Sequence, residues 1–478
     1  MTDSLRVLVV GAGPAGLSAA HRLTEHGHAD WTLVDAGDHA GGLATSVVDP
    51  QGFTWDLGGH VLFSHYKYFD RLMDEALGDQ WVEHEREAWV WMRERWVPYP
   101  FQNNVWRLPN DDLVRCLEGL VDLQRATYDA PPSNFAEWLQ RSFGRGLCDV
   151  FMYPYNFKVW AYEPSAMNVA WMGERVATVD LKRILRNLVE RRDEVSWGPN
   201  ATFRFPLRGG TGAIWRAIAG KLPRERLAFG KRVTGVATRK RRVHFSDGTS
   251  EGYDRLVSTM PLDELLRAIT DRPDLTAHAG RFVHSSSHIV GVGFEGTPPA
   301  SLRTKCWMYF PEPETPFYRV TVFSNYSPNN VPRPGEQWSL MAEVSESPVK
   351  PVDQARIVDD VIAGFRSVGF IDESTPIASR WHQRLPHGYP TPWLEREEVL
   401  AAVLPELEKA GILSRGRFGA WRYEVSNQDH SALQGVEAID RILLGTPEHT
   451  VHGRMDVEPP ALPPVKRRGS ARLAVAAG

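Results

Sequence analysis

Arg6-Val-Leu-Val-Val-Gly-Ala-Gly-Pro-Ala-Gly-Leu-Ser-Ala-Ala-His-Arg-Leu23 is the stretch that decides how this chain folds. Up to Val10 it is an apolar, β-branched run, the mark of a strand buried in a parallel sheet. It breaks into Gly11-x-Gly13-x-x-Gly16 and then into apolar residues at helical spacing, Leu17, Ala20 and Leu23. Gly11 permits the tight turn, Gly13 lets a pyrophosphate approach the backbone, and Gly16 lets the helix pack on the strand. The helix N-terminus offers free N–H groups and a positive dipole end to phosphates. A second apolar strand, Trp31-Thr-Leu-Val34, ends at Asp35, where an acid accepts ribose hydroxyls. A lone glycine fingerprint is a weak signal. Strand, turn, helix, second strand and acid in this order predict a dinucleotide-binding unit.

Gly41-Gly42-Leu43 follows shortly after Asp35. An acid and then a Gly-Gly pair resembles the FAD-binding proteins of the glutathione-reductase and amine-oxidase type, which makes FAD the expected cofactor. At 478 residues the chain suits two or three interlocking domains. Its 42% hydrophobic and 24% charged residues are ordinary for a globular protein. A net charge of −4 gives no basic footprint for nucleic acid. Cys116, Cys148 and Cys306 are far apart and show no CxxC spacing, so neither a disulfide framework nor a metal site is expected. Three buried thiols fit a reducing cytoplasm. No apolar run approaches a membrane span, and the chain enters its first strand too early to leave room for a signal peptide. A cytoplasmic protein without membrane or nucleic-acid partners is the expectation, with a homo-oligomer admitted.

Beyond the fingerprint comes Phe53-Thr-Trp-Asp-Leu-Gly58-Gly59-His60, in which paired glycines suit backbone passing close to a ligand. Residues 81–104 alternate aromatic and polar groups and read as short strands, ending in a proline-rich Val97-Pro-Tyr-Pro-Phe-Gln-Asn-Asn. From about 110 to 192 the apolar spacing turns helical. A loop, Asn200-Ala-Thr-Phe-Arg-Phe-Pro-Leu-Arg-Gly-Gly-Thr-Gly, opens a helix near Ile214, and 227–260 reads as hairpins with an Asp247-Gly248 turn. Residues 283–345 and 376–384 suggest a separate antiparallel sheet, and Ala432–Leu444 has helical periodicity. A helix aiming its N-terminus at a flavin would stabilise negative charge there. After Thr446 the Pro-Pro pairs and Lys466-Arg-Arg read as a disordered tail.

Nine blocks, in order, resemble the UDP-galactopyranose mutase family in its eukaryotic-type branch. They are GGHVLFSHYKYFD (58–70), WVPYPFQNN (96–104), PYNFKVWA (154–161), WMGERVA (171–177), NATFRFP (200–206), CWMYFP (306–311), FYRVTVFSNYSP (317–328), HGYPTP (387–392) and RGRFGAWRYEVSNQDHS (415–431). The resemblance implies an FAD enzyme that interconverts UDP-galactopyranose and UDP-galactofuranose without net redox change. In that family N5 of reduced flavin attacks the anomeric carbon, displaces UDP and holds the sugar covalently while its ring opens and recloses.

By the same resemblance Arg175 and Arg319 hold the diphosphate, since arginine forks match phosphate oxygens. Tyr389 and Tyr423 donate hydroxyls to it. Tyr155 and Gln102 receive the uracil, with Tyr99 and Phe101 beside them, and Asn156, Trp160, Asn200 and Tyr309 line the pocket. His60 sits on a mobile loop facing the flavin and acts through its backbone carbonyl. Gly11, Gly13, Gly16, Asp35, Gly42, Leu43, Gly58, Gly59, Arg417, Asn427 and Gln428 contact FAD. Arg86 matches a position for the reductant, NADPH or NADH, and Ala88 stands where the family tends to have serine. A mutase of another nucleotide sugar, a net FAD oxidoreductase of the amine-oxidase type and a non-catalytic flavoprotein stay open as alternatives. The expected layout is an α/β, Rossmann-like FAD domain in three pieces (1–105, 200–282, 413–447), a helical insertion (106–199), an antiparallel sheet domain (283–412) and a tail (448–478).

Overall fold

The computed structural model describes residues 5–172, 179–195, 201–455 and 457–461. Val7–Val10 is a fully buried strand at the centre of a five-stranded parallel sheet. Across that sheet the order is Ile412–Ser414, Arg255–Ser258, Val7–Val10, Trp31–Val34 and Leu227–Ala228, so the domain is assembled from distant parts of the chain. The fingerprint helix, Pro14–Glu25, packs along the long C-terminal helix Gln428–Leu444. A Cβ on Gly16 would lie 1.8 Å from Gly11 O, so only glycine lets this helix start against its own strand.

The second body is a seven-stranded sheet ordered Ile377–Pro390, His284–Glu295, Gln337–Glu346, Arg319–Val322, Trp307–Tyr309, Ala88–Met92 and Arg95–Pro98. This corrects the sequence reading for residues 88–98, expected as part of the flavin domain, while Trp81–Glu85 pairs apart from this sheet with Thr202–Pro206. Ala88–Met92 pairs in parallel with Trp307–Tyr309 and brings the hairpin strand Arg95–Pro98 with it. Pairing across more than two hundred residues leaves no local trace in sequence. The remaining pairs in this sheet are antiparallel, as expected.

The insertion is helical where it is described, with helices Asn110–Arg125, Phe135–Leu147, Tyr153–Trp160 and Leu181–Glu190. A π-helical turn, Cys148–Met152, leads into Tyr153–Trp160 and rotates that short helix onto the sheet. The C-terminal helix begins at Gln428, four residues earlier than its apolar periodicity indicated, with Asn427 at the N-cap position.

The reading of residues after Thr446 as a disordered tail is also corrected. Glu448 is buried against Arg415 and Arg441, Thr450 meets Tyr66 and Glu437, and Glu458 accepts the N–H groups of Lys67 and Tyr68 at a helix start. Residues 462–478 lie outside the described residues. Among the described residues no helix is long and apolar enough to cross a membrane.

Candidate active site

The fingerprint turn forms a bare cradle. Gly13 caps the helix Pro14–Glu25 without a side-chain hydrogen bond, and Gly42 lies so close that a Cβ there would meet Gly13 Cα at 3.0 Å. Gly11 has φ +105°, and a Cβ there would sit 1.9 Å from Thr259 Oγ1. Asp35 uses Oδ2 to accept from Ala12 N at 2.6 Å and Oδ1 to accept from Gly37 N at 2.6 Å. Both oxygens therefore brace the loop, and each keeps a second lone pair for a ribose hydroxyl. Leu43 packs between two core clusters beside this turn. A glycine-lined helix N-terminus followed by an acid fits the diphosphate and ribose of FAD.

Farther along, Gly58, with φ +141°, and Gly59 carry the backbone to His60. Gly59 N donates to Glu343 Oε1 at 3.0 Å, which pins the loop to the seven-stranded sheet. His60 Nδ1 is buried 3.8 Å from Asp56 Oδ2, with no hydrogen-bond partner among the described residues. Glu343 also pairs bidentately with Arg319, accepting from Nε and Nη2 at 2.7 Å each, and accepts from Tyr318 Oη at 2.8 Å. Burial alone would lower the Arg319 pKa, but Glu343 outweighs it and holds the guanidinium charged. Burial likewise works to raise the Glu343 pKa, and Arg319 and Tyr318 bring it below the usual value. Glu343 and Tyr318 are the residues that sequence reasoning missed. The one available signal was an acid inside the mostly apolar and small-residue run Trp338–Ser345 of the strand Gln337–Glu346.

Tyr318 Oη lies 3.5 Å from Tyr389 Oη. Tyr389 and Tyr423 stand 5.8 Å apart, ring to ring, with Arg417 4.9 Å over Tyr389 and 5.7 Å from Tyr423. Arg417 is fixed by Ser426 Oγ at 2.9 Å and Gly388 O at 3.3 Å. Burial raises the Tyr389 pKa even though Arg319 opposes it, so its hydroxyl keeps its proton as a donor. On the opposite side Tyr309 touches Tyr99 and Tyr155 at 5.2 and 5.5 Å, and its hydroxyl accepts from Trp307 Nε1 at 2.7 Å. Trp307 in turn lies under Arg86 at 4.5 Å and Arg319 at 5.7 Å. Burial raises the pKa of Tyr99 and Tyr155 as well. The structure thus gathers Arg319, Tyr389, Tyr423, Arg417, Tyr155, Tyr309, Tyr99 and Arg86 into one polar and aromatic cluster.

Other expected residues sit differently. Phe101 is 0% exposed and stacks on Phe151, which stacks on Tyr155, so it lies in the core behind Tyr155. Trp160, 2% exposed, packs edge-on against Tyr389 and Tyr423 and supports them from behind. Gln102 is buried beside Phe101, and Asn156 donates its amide to Met152 O within its helix. Gln428 Oε1 accepts from Trp215 Nε1 at 2.7 Å, and Asn427 is exposed at the helix cap. Ala88 is buried in the core behind the pocket. Arg175 and Asn200 lie outside the described residues.

The profile of the flavin containing amine oxidoreductases matches residues 14–410. A crystal structure of reduced UDP-galactopyranose mutase superposes with a TM-score of 0.92 at 51% identity, covering 95% of this chain and 97% of that one. A putative protoporphyrinogen oxidase from Exiguobacterium sp. 255-15, 17% identical with a TM-score of 0.68 over 93% of this chain and 100% of that one, shares the fold. Among curated proteins, 15-cis-phytoene desaturase from Glycine max is 37% identical over 83 residues, 17% of this chain and 14% of that protein. Zeta-carotene desaturase from Zea mays is 39% identical over 75 residues, 16% of this chain and 13% of that protein. The chain therefore matches only about a seventh of the length of those desaturases. The fold is that of an FAD enzyme, and the extended likeness is to a flavin-dependent mutase. The chain belongs to the flavin containing amine oxidoreductase family and, within it, to the UDP-galactopyranose mutases.

Proposed function

We propose that this protein interconverts UDP-galactopyranose and UDP-galactofuranose with no net redox change, using FAD in its reduced form. The observation that carries the reading is Arg319, which is half-buried, held charged by Glu343 and one contact away from Tyr389. Its Nη1 has no hydrogen-bond partner among the described residues, so the cation keeps donors for a diphosphate. When bound, reduced flavin supplies a nucleophilic N5 that bonds the anomeric carbon and lets the ring change size.

The chain's own residues supply charge and placement. Arg319, with Arg175 from the matched block 171–177, neutralises the departing UDP where negative charge develops. Tyr389 and Tyr423, hydroxyl donors beside it, complete the phosphate shell and keep UDP in place for its return. Tyr155, Tyr309 and Tyr99 offer stacking faces to the uracil, with Phe101, Phe151 and Gln102 behind them. The Gly58–Gly59 backbone brings His60 to the cofactor, and Arg86 on Trp307 receives the phosphates of NADPH or NADH. Three free, buried cysteines suit work in the reducing cytoplasm.

The test is an anaerobic assay with UDP-galactofuranose, run with oxidised and with dithionite-reduced flavin. Pyranose product is expected only in the reduced sample, without stoichiometric consumption of NADPH. Continuous NADPH oxidation tied to product would overturn the reading in favour of an oxidoreductase. No turnover by reduced, FAD-loaded protein would move the substrate to another nucleotide sugar.

A further inference from the structure

The cysteines are scattered, yet metal donors of another kind meet where the flavin-binding half joins the seven-stranded sheet. Asp263 lies on the helix Leu262–Ala268, His284 opens the strand His284–Glu295, and His387 lies near the end of the strand Ile377–Pro390. One ligand atom from each lies within 4.8 Å of the other two. We propose that Asp263, His284 and His387 form a divalent-metal site of the zinc type, separate from the flavin and diphosphate pocket.

The spacing suits such an ion. Zinc bonds of ~2.0–2.1 Å in a tetrahedron hold neighbouring donor atoms about 3.4 Å apart. Asp263 Oδ1 and His387 Nε2 already stand 3.1 Å apart, in a contact where an ion would replace the shared proton. The other Asp263 oxygen accepts from Arg267 Nη1 at 2.6 Å, an outer-shell bond of the sort that orients a ligating carboxylate. His284 Nδ1 is buried without a hydrogen-bond partner among the described residues, although its ring stacks on His387 at 4.1 Å and 25°. Ring nitrogens bind in the ring plane, so ligation opens this stack toward the ion. Two histidines and one acid leave a fourth position for water, with Glu264 Oε1 at the rim, 3.9 Å from His387 Nδ1.

An ion here would fix the Gly388–Tyr389 end of the strand to the flavin-binding half. Gly388 O is an acceptor for Arg417 and Tyr389 lies beneath that arginine, so the site would rigidify one wall of the pocket from outside. A similar trio, His65, Asp429 and His430, offers a contrast. There Asp429 Oδ2 accepts from both the backbone N–H and Nδ1 of His65, at the first turn of the C-terminal helix, and Oδ1 has no hydrogen-bond partner among the described residues, so the experiment carries this trio as its control.

The experiment titrates chelator-treated, FAD-loaded protein with Zn²⁺ against a chromophoric competitor. One equivalent is expected to bind the wild-type chain, with at least tenfold weaker binding in His284→Asn and in His387→Gln. His65→Asn is expected to bind as wild type does. Should His387→Gln lose FAD or fold, His284→Asn alone decides. No zinc uptake by the wild type overturns the proposal, as does equal affinity in His284→Asn. Loss of binding in His65→Asn, with retention in the other two, would place the ion at the other trio.

Discussion

Glu343 accepts four hydrogen bonds, from Gly59 N, Tyr318 Oη and two nitrogens of Arg319, and so joins the loop bearing His60 to the pocket's buried cation. Removing its charge leaves the Arg319 guanidinium buried without a counter-ion. Glu343→Gln is expected to lower stability by about 3 kcal/mol, the usual cost of breaking a buried pair from one side. UDP should then raise the melting temperature of the variant more than that of the wild type, because the diphosphate supplies the missing charge. Thermal melts with and without UDP measure both effects, and an equal UDP shift would show that Arg319 does not meet the diphosphate. At this scale the sequence was legible where the constraint is local. Gly11 and Gly16 announce themselves because a Cβ would collide with atoms brought there by the turn and its neighbouring strand. Glu343 was not legible, since its partners lie 24 and 284 residues away. Phe101 was placed at the ligand because an aromatic ring in a pocket and one in the core behind it read alike.

Residues 447–455 and 457–461 act as a strap across the flavin-binding half, held by polar anchors that the proline-rich composition hid. Glu448 clamps Arg415 bidentately and also reaches Arg441, Glu437 accepts from His449 N and from Thr450, and Pro460 O accepts from Arg22. Arg415 is buried at the start of the loop that carries Arg417, so the strap bears on the site through one side chain. Glu448→Gln is expected to cost about 1–2 kcal/mol in urea unfolding, less than the loss of a sole buried partner, because Arg415 keeps Glu408 at 2.8 Å. It should also expose the C-terminal residues to limited proteolysis at concentrations of protease that leave the wild type intact. Unchanged stability and cleavage would mean that the strap is held by its other anchors alone. Elements whose periodicity is set by a buried face, such as the strand Val7–Val10 and the helices of the insertion, were readable. The strap and the strand Ala88–Met92 take their conformation from partners elsewhere in the chain, and composition carries no record of those partners.

For the whole molecule, the buried titratable groups set opposing dependences on pH. Burial, their largest cause, lowers the pKa of His21, His84, His284, His288, His382 and His452 below the ordinary value of 6.5. Their folded state prefers the neutral ring, so this contribution is complete above pH ~6.5 and is lost as pH falls through the folded values. Asp263, Asp429, Glu343 and Glu448 are held below the usual carboxylate range, and their contribution is lost only at lower pH still. Glu437 runs the other way. Burial pushes its carboxyl up to about 7, with Glu448 adding to the rise, although its hydrogen bonds from His449 N and Thr450 favour the ionised form. In the unfolded chain a glutamate titrates near ~4.3. The stability that protonated Glu437 confers is therefore complete below that value and lost as pH rises through about 7. Glutamine at this position does not titrate. The stability of Glu437→Gln relative to wild type should consequently increase from pH 5 to pH 8, while the histidines affect both proteins alike and cancel in the difference. Urea unfolding of the two proteins at both pH values measures it. A difference that stays constant or shrinks would mean that Glu437 is already ionised in the folded protein, its charge carried by the strap's N–H groups and the Thr450 hydroxyl.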